Sequence, residues 1–561
     1  MPSHAAPSAP NTISGRNAFL ALLQSEGITH LFGNPGTTEL PIMHALKDFP
    51  DLSYVMAMQE SLVVAMADGF SRASGKLVAA NVHVAPGLGN AMGALYNAKF
   101  TGTPLILTAG QQEQGHGLME PLLYDDLVAM AAPLVKWAVE VTRLEDLPRI
   151  VRRAAKVATT APTGPVFLSL PGDILNAESG LDLGQPTRIE TSVLPTADTL
   201  DRLAARILAA ARPVIIVGDE VVKSNAYDTI ESFAETLGAP VFQQSIAYGA
   251  HFRSEHPLFM GALARQQPTT RKQLEPYDLM IALGTDPLRM SVYNPISPLP
   301  DELPIVQIGL VDWDIGKNFA TDCAVKADVT ATVSALLPVL RRTGGAKLTE
   351  LAETRRSEIV VSNWSAKRVR LTEEIRSRSA ITPIDPDVAT LALAEAIPSD
   401  AIVFDESLTT GRYFNALYPF RDRYGYHALA SGGIGWALPA AVGAAFAHPG
   451  RRVVAFLGDG SAMYSIQAIW TAAQHKLPVT FVIANNGGYR IIKQRLRAFH
   501  GSEHYVGMDF IEPAVDFCAL AKSLGADTTR ISAASDLLPA LSTAMQSKGP
   551  HLVDLILDRT V

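Results

Sequence analysis

Two loops near the carboxyl terminus carry side chains that suit a metal ion and a phosphate group. Residues 452–457 are a short β-branched run that predicts a strand, and the segment Gly-Asp-Gly-Ser at 458–461 follows it directly. A second predicted strand, residues 479–484, runs into Asn-Asn-Gly-Gly at 485–488. Because both tetrapeptides are also common turn sequences, either loop taken alone is explained as well by a simple turn.

The position of the two loops relative to each other favours a binding site. A helical segment separates the two strands, so the strands are expected to lie parallel and to end at the same edge of one sheet. Ligands bind beyond that edge, where glycines let backbone N–H groups approach a phosphate. The Asp459 carboxylate, the Asn486 amide oxygen and the Gly488 carbonyl are hard oxygen ligands of the kind that Mg²⁺ prefers.

Two titratable side chains in the amino-terminal part are further candidates. Glu60 precedes an apolar helix predicted over residues 62–73, where the helix dipole alone would also favour a carboxylate. His83 ends a predicted strand, residues 79–83, just before a glycine-rich loop. An imidazole there suits proton transfer near neutral pH, although such a histidine is often only a hydrogen-bonded structural residue.

The elements that must position these residues alternate between strand and helix along the whole chain. This alternation predicts an α/β protein with parallel sheets covered by helices on both faces. Polar stretches at 180–197 and 341–382 break the pattern and predict domain boundaries. The units expected are residues 12–185, 196–342 and 380–558, with a charged helical linker at 343–379. The middle unit lacks a Gly-x-Gly-x-x-Gly sequence, so we expect a scaffold there rather than a nucleotide site.

Composition narrows the class of protein. Of 561 residues only 18% are charged, against about 25% in an ordinary soluble domain, which predicts surface hidden in subunit interfaces. The net charge of -8 without basic blocks argues against nucleic acid as a partner. The sequence has no signal peptide, so the chain is expected to be cytoplasmic. It has no apolar run of about 20 residues, so no membrane contact is expected. Its only cysteines are Cys323 and Cys518, so no disulfide is expected. Residues 1–11 are expected to be a disordered tail.

The paired loops resemble the thiamin diphosphate motif, which begins Gly-Asp-Gly and ends Asn-Asn. From about residue 17 to residue 557 the chain resembles the superfamily of 2-oxo acid decarboxylases and acetolactate synthases, and most of all the benzoylformate decarboxylases. The similar segments are residues 32–41, 81–95, 107–112, 133–137, 431–440 and 458–465. The resemblance implies three doubly wound parallel-sheet domains: aminopyrimidine-binding at 12–185, central and Rossmann-like at 196–342, and diphosphate-binding at 380–558.

The resemblance also implies the cofactors, thiamin diphosphate and Mg²⁺, and a role for each site residue. Asp459, Asn486 and the Gly488 carbonyl would bind the metal, and Glu60 would bond N1′ of the aminopyrimidine. Gly432 would accept from the 4′-amino group, and Ile434 would support the bent cofactor. The remaining cofactor contacts implied are Gly458, Gly460, Ser461 and Tyr489.

On the substrate side, the resemblance implies that His83 is a catalytic histidine and that Thr37 handles the substrate carboxylate. Thr37 follows Pro-Gly and could equally be a plain turn residue. Ser291 stands where the benzoylformate decarboxylases have a second histidine, which a hydroxyl cannot replace as an acid. Ile491, Ile492 and Arg495 would line the substrate pocket. They would make it narrower than the pocket of the benzoylformate decarboxylases, or differently charged. The nearby His500 and His504 are expected to be exposed loop residues.

The function that the resemblance implies is decarboxylation of an aryl or branched 2-oxo acid to an aldehyde, with some carboligase activity. An acetolactate synthase-like carboligase is the alternative, and a 2-hydroxyacyl- or oxalyl-CoA lyase is a weaker one. A cofactor-binding protein without turnover would keep the same motifs. The partners expected are a small 2-oxo acid and a second copy of the chain, as a homodimer at least and a homotetramer by the resemblance.

Overall fold

The computed structural model describes residues 12–379 and 382–561 and divides into two compact units between Ile189 and Glu190. This division falls inside the polar stretch at 180–197. The tail expected at residues 1–11 lies outside the described residues. None of the helices in the described ranges is both long and apolar enough to cross a bilayer.

Within residues 12–189, six parallel strands form one sheet in the order β3-β2-β4-β5-β7-β6, and β1 pairs with β8 in a short antiparallel ladder. The strands are β1 (Ile13–Ser14), β2 (His30–Gly33), β3 (Ser53–Met56), β4 (Val78–Val82), β5 (Leu105–Gln111), β6 (Ala138–Glu140), β7 (Val166–Pro171) and β8 (Glu178–Ser179). The helices are α1 (Gly15–Ser25), α2 (Leu40–Ala45), α3 (Glu60–Ser74), α4 (Val84–Thr101), α5 (Leu127–Ala131), α6 (Leu147–Thr159) and α7 (Gly172–Asn176).

Local sequence explains why α3 lies where it does. Its side chains are almost all buried, since the helix covers a sheet whose strands β4 and β5 are buried throughout. The Gln59 side chain accepts a hydrogen bond from the Ser61 N–H and so caps the first turn. The helix ends at Gly75, which adopts the left-handed conformation with φ of 70°. Glu60 is therefore fixed as the first residue of a rigid, buried helix.

Within residues 190–379, a second six-stranded parallel sheet has the order β11-β10-β9-β12-β13-β14. Its strands are β9 (Pro213–Val217), β10 (Val241–Gln243), β11 (Phe259–Ala262), β12 (Leu279–Leu283), β13 (Ile305–Gly309) and β14 (Cys323–Lys326). Its helices are α8 (Ala197–Leu208), α9 (Asp219–Lys223), α10 (Tyr227–Leu237), α11 (Gln267–Leu274), α12 (Val329–Val360), which breaks at Gly345, and α13 (Trp364–Arg376). Leu348 and Trp364, from the segment expected to be a linker, pack into the core of this sheet.

Within residues 382–561, a third six-stranded parallel sheet has the order β16-β15-β17-β18-β20-β19. Its strands are β15 (Ile402–Glu406), β16 (Tyr426–Ala428), β17 (Val453–Gly458), β18 (Val479–Asn485), β19 (Asp527–Ile531) and β20 (His551–Ile556). Its helices are α14 (Pro386–Ala396), α15 (Phe414–Leu417), α16 (Ala437–Ala447), α17 (Asp459–Ser465), α18 (Ala468–Gln474), α19 (Arg490–His500), α20 (Phe517–Ser523) and α21 (Leu537–Ala544).

The strand orders confirm the predicted fold class of three doubly wound parallel sheets. Numbered along their own segments, the strands of the first and third sheets have the same order: second, first, third, fourth, sixth, fifth. The middle sheet instead has the order third, second, first, fourth, fifth, sixth, which is the arrangement of dinucleotide-binding folds. The first and third sheets therefore share one topology, and the middle sheet has another.

Candidate active site

The two glycine-rich loops of the third sheet lie side by side. Strands β17 and β18 are parallel neighbours, with Gly458 opposite Ala484, so Asp459 and Asn486 both follow the carboxyl ends of adjacent strands. The buried Asp459 carboxylate accepts hydrogen bonds from the N–H groups of Gly460 at 2.8 Å, Asn486 at 2.9 Å and Gly487 at 2.6 Å. One carboxylate thus joins both loops.

The electrostatics of Asp459 suit a cation. Burial raises its pKa to about 6, while the backbone N–H groups act in the opposite direction. A divalent cation would offset the cost of the buried negative charge. Within residues 12–379 and 382–561, no three His, Cys, Asp or Glu side chains could hold a metal together. A metal here would need the Asn486 amide, the Gly488 carbonyl and further oxygens from a phosphate or water, which is how Mg²⁺ is commonly held.

The same edge of the sheet leaves room for a phosphate-bearing ligand. A Cβ atom added at Gly458 or at Gly432 would have no heavy atom within 4 Å. Gly432 adopts a φ of 84° and, like its neighbour Gly433, is exposed, while Ile434 is half-buried. The residues present therefore fit a diphosphate and a hard divalent cation at the ends of β17 and β18.

Glu406, at the end of β15, organises the loop that carries Gly432 and Ile434. It is fully buried and accepts hydrogen bonds from the N–H groups of Gly435 at 2.5 Å, Trp436 at 2.9 Å and Ala437 at 2.7 Å, at the start of α16. Burial raises the pKa of Glu406, and bonds from these N–H groups and from the Ser461 side chain act against that rise. Sequence reasoning missed Glu406; its place just after the apolar run at residues 401–404 was the available signal.

In the first unit, Glu60 and His83 come together around Gly87. A Cβ atom at Gly87 would lie 3.1 Å from Glu60 Oε1 and 3.4 Å from His83 Cβ. Glu60 is only 8% exposed, and its Oε2 accepts a hydrogen bond of 3.1 Å from the Asn90 amide. Asn90, on α4, was not singled out from the sequence, because nothing local shows that it faces Glu60.

A buried carboxylate orients His83. Glu39 Oε2 lies 2.8 Å from His83 Nδ1, and Glu39 accepts from the N–H groups of Gly36 at 3.0 Å and Gly110 at 2.8 Å. The Thr38 hydroxyl donates to Glu39 and lies 3.1 Å from His83 Nδ1. When Nδ1 donates to Glu39, Nε2 is left for a ligand. Positions 36 and 110 require glycine because other side chains lie against the backbone there. A Cβ atom at Gly36 would overlap the His83 ring, and one at Gly110 would overlap the Glu39 carboxylate.

Two strained residues flank these groups. Val84, directly after His83, has a φ of 47°, and Leu408, shortly after Glu406, has a φ of 27°. A β-branched or bulky residue rarely adopts a positive φ, and such a conformation costs about 1–3 kcal/mol. Both outliers lie just beyond the carboxyl ends of strands, where the polar groups gather.

The remaining residues singled out from the sequence lie on the surface. Thr37 is exposed, and the hydroxyl near His83 belongs to Thr38 instead. Ser291 is exposed, and its N–H donates to the carbonyl of Arg265 at 3.3 Å. The other candidates follow the glycine-rich loop at 485–488: half-buried Tyr489, Ile491 and Arg495, and exposed Ile492, His500 and His504.

Three protein-family models match the chain. They are the N-terminal TPP binding domain of thiamine pyrophosphate enzymes at residues 13–127, the central domain at 200–336, and the C-terminal TPP binding domain at 409–555. The third match includes both glycine-rich loops, and the first includes Glu60 and His83.

Individual relatives agree with the family models. Benzoylformate decarboxylase of Pseudomonas aeruginosa is 33% identical, covering 96% of this chain and 98% of its own. The large subunit of acetolactate synthase from Haemophilus influenzae is 26% identical, covering 98% of this chain and 95% of its own. The solved structure of the thiamine diphosphate-dependent 4-hydroxybenzoylformate decarboxylase of Rhodococcus jostii RHA1 superposes with a TM-score of 0.83 at 30% identity, covering 98% of this chain and 100% of its own. The chain therefore belongs to the thiamine pyrophosphate enzyme family.

Proposed function

We propose that the protein is a thiamin diphosphate- and Mg²⁺-dependent decarboxylase that releases an aldehyde from a 2-oxo acid. The observation that carries the proposal is the buried Asp459 carboxylate, which joins two glycine-rich loops at the ends of adjacent parallel strands. Similarity to benzoylformate decarboxylase over 96% of the chain supports the reaction class. When bound, the cofactor supplies the nucleophilic carbon and the electron sink that decarboxylation of a 2-oxo acid requires.

Each residue of the site would have a distinct task. Asp459, Asn486 and the Gly488 carbonyl would hold Mg²⁺ on the diphosphate, contacted also by Gly458, Gly460, Ser461 and Tyr489. Gly432 and Ile434 would orient the aminopyrimidine. Glu60, kept in place by Asn90, would exchange a proton with ring atom N1′. His83 Nε2 would move a proton to or from the substrate, with Nδ1 held by Glu39. Thr37 and Ser291 would contact the substrate from the surface.

The surroundings of the site favour an aryl or branched 2-oxo acid that differs from benzoylformate. Ile491 and Ile492 begin α19 just beyond the metal loop and would narrow the pocket. Ser291 offers only a hydroxyl where the benzoylformate decarboxylases have an imidazole. A panel of aliphatic and aromatic 2-oxo acids, with added thiamin diphosphate and Mg²⁺, tests the proposal when CO₂ and aldehyde are both followed. Absence of CO₂ from every acid would contradict it.

An acetolactate synthase-like carboligase is the second candidate. The observation that favours it is the 26% identity to acetolactate synthase over 98% of this chain. Product analysis separates the two functions, because a decarboxylase releases free aldehyde whereas a carboligase converts pyruvate mainly into a ligated hydroxy acid.

The assembly proposed is a homodimer at least, and a homotetramer by similarity to the family. Large apolar side chains are exposed on the first unit at Leu118, Met119 and Leu122, which are 95%, 76% and 84% exposed. The second unit exposes Met463 and Tyr464 in α17, beside Asp459. Exposed apolar patches of this kind mark interaction surfaces.

Cys323 and Cys518 are free thiols, in keeping with the cytoplasmic location proposed.

Replacing Glu60 with glutamine should abolish the proton exchange while preserving shape. We expect kcat to fall about a hundredfold to ten-thousandfold, the usual contribution of a general acid–base group. Cofactor affinity and the melting temperature should stay close to wild type. The exposed Glu145→Gln substitution serves as the control. A Glu60→Gln enzyme with near-normal kcat would remove Glu60 from the mechanism.

Metal affinity should depend on the protonation of Asp459. Because its pKa is raised to about 6, protons compete with the cation below that pH. Calorimetric titration with Mg²⁺ and thiamin diphosphate should show affinity rising about tenfold per pH unit up to about pH 6 and then levelling off. Asp459→Ala should lose the binding, whereas exposed Asp536→Asn should not. Unchanged affinity in Asp459→Ala would exclude this metal site.

Glu39 should act through His83 as a positioning residue. The Glu39→Gln substitution removes the charge that holds Nδ1, and we expect kcat to fall about tenfold to a hundredfold, as when other partners that orient a functional histidine are lost. The pH profile of kcat/KM should also shift. If only the melting temperature changes and the pH profile does not, Glu39 has a structural role alone.

Complementation tests whether each site is shared between subunits. If Glu60 of one copy works with Asp459 of another, a mixture of inactive Glu60→Gln and Asp459→Ala proteins regains activity, because each hybrid dimer contains one unaltered site. After random subunit exchange, about a quarter of wild-type activity is expected. No recovery, although light scattering shows hybrid dimers, would contradict a shared site.

A further inference from the structure

Helix α19, which follows the metal loop, turns its apolar side chains outward. Among its residues, all of which the structure describes, only Lys493 is buried. Ile492 and Phe499 are 46% and 59% exposed. Lys493 points inward and forms an ion pair with Asp509. The helix is therefore anchored through a charge and leaves an apolar face open beside the candidate site.

Arg495 differs from the other cations of α19. The other three each donate to an oxygen atom: Arg490 to the Asp558 carbonyl, Lys493 to the Asp509 carboxylate, and Arg497 to the Val561 carbonyl beside Glu503. In the part of the chain that the structure describes, Arg495 has no carboxylate within 4.0 Å. Its guanidinium instead lies 5.9 Å from the centre of the Phe499 ring. A half-buried guanidinium without an anion is a ready binding group.

The position of Arg495 defines what it could reach. Ile491 and Arg495 are four residues apart and share a face of the helix, which begins two residues after Gly488. Along the axis the two residues are separated by about 6 Å. A substrate whose 2-oxo group reacts with the bound cofactor and whose side chain follows this face would present its far end to Arg495.

Building on the proposed decarboxylase function, we propose that Arg495 binds a carboxylate at the far end of the substrate. The preferred substrates would then be 2-oxo acids with a second, distal acid group on an aryl or aliphatic side chain. Ile491 and Ile492 would pack on the apolar middle of such a molecule. Arg495 and a carboxylate would form two parallel N–H···O bonds, a geometry that a terminal methyl or an unsubstituted ring cannot satisfy.

Matched pairs of substrates test this inference on the holoenzyme. The pairs are 2-oxoadipate against 2-oxohexanoate, and 4-carboxybenzoylformate against benzoylformate. We expect kcat/KM of the wild-type enzyme to favour the diacid of at least one pair by about tenfold to a hundredfold, the effect of one charged hydrogen-bonded contact. In Arg495→Met the preference should vanish or invert. In Arg495→Lys, which keeps the positive charge but not the paired N–H donors of a guanidinium, the preference for the diacid should be intermediate.

Arg497→Met is the matched control, because Arg497 lies on the same helix but already has oxygen partners. Its substrate preference should equal that of the wild type. Wild-type preference for the monoacids in both pairs would overturn the inference. So would an Arg495→Met enzyme that keeps the wild-type preference while light scattering shows a weakened assembly, since Arg495 would then bind an acid of a second copy. If no 2-oxo acid yields CO₂, the proposed function itself fails.

Discussion

Buried carboxylates that accept hydrogen bonds from backbone N–H groups organise the candidate site residues within each of the two units. Asp459 joins the two glycine-rich loops, Glu406 holds the loop of Gly432, and Glu39 orients His83. A buried charge costs several kcal/mol unless it is paired or hydrogen-bonded, so the loops around it must aim their N–H groups inward. This requirement explains why glycines crowd these segments, since several of the N–H donors are glycines.

The parallel sheets decide where those carboxylates can gather. The first and third sheets share one strand order and each collects polar groups beyond its strand ends. The middle sheet has the dinucleotide-binding order, yet the crevice between β9 and β12 is filled. A Cβ at Gly218 would lie 2.5 Å from both the Gln244 Oε1 and Thr285 Cβ atoms. Glu220, whose pKa burial raises to about 7, bonds the N–H groups at the end of β13. A nucleotide phosphate would have to displace that carboxylate, which favours a scaffold role.

Local sequence predicted the elements and loops well because strand runs and glycine turns are local signals. The strand predicted at 452–457 is β17 (Val453–Gly458), and the adjacency of the two glycine-rich loops is confirmed. Partners that meet only through the fold were missed, namely Glu39, Asn90 and Glu406. Thr38 was missed for the same reason: its contact with His83 depends on the direction of a single 3₁₀ turn.

Some of the exposed large apolar side chains follow strands of the first and third sheets. Leu118, Met119 and Leu122 follow β5, Leu408 follows β15, and Met463 and Tyr464 follow β17. In sequence, each of these exposed apolar residues follows the carboxyl end of a parallel strand whose sheet carries candidate site residues. Apolar surface at these edges would drive association and remove water from the site in the same step. Assembly and catalysis would then draw on the same residues, so charge could not be added to these edges without weakening both.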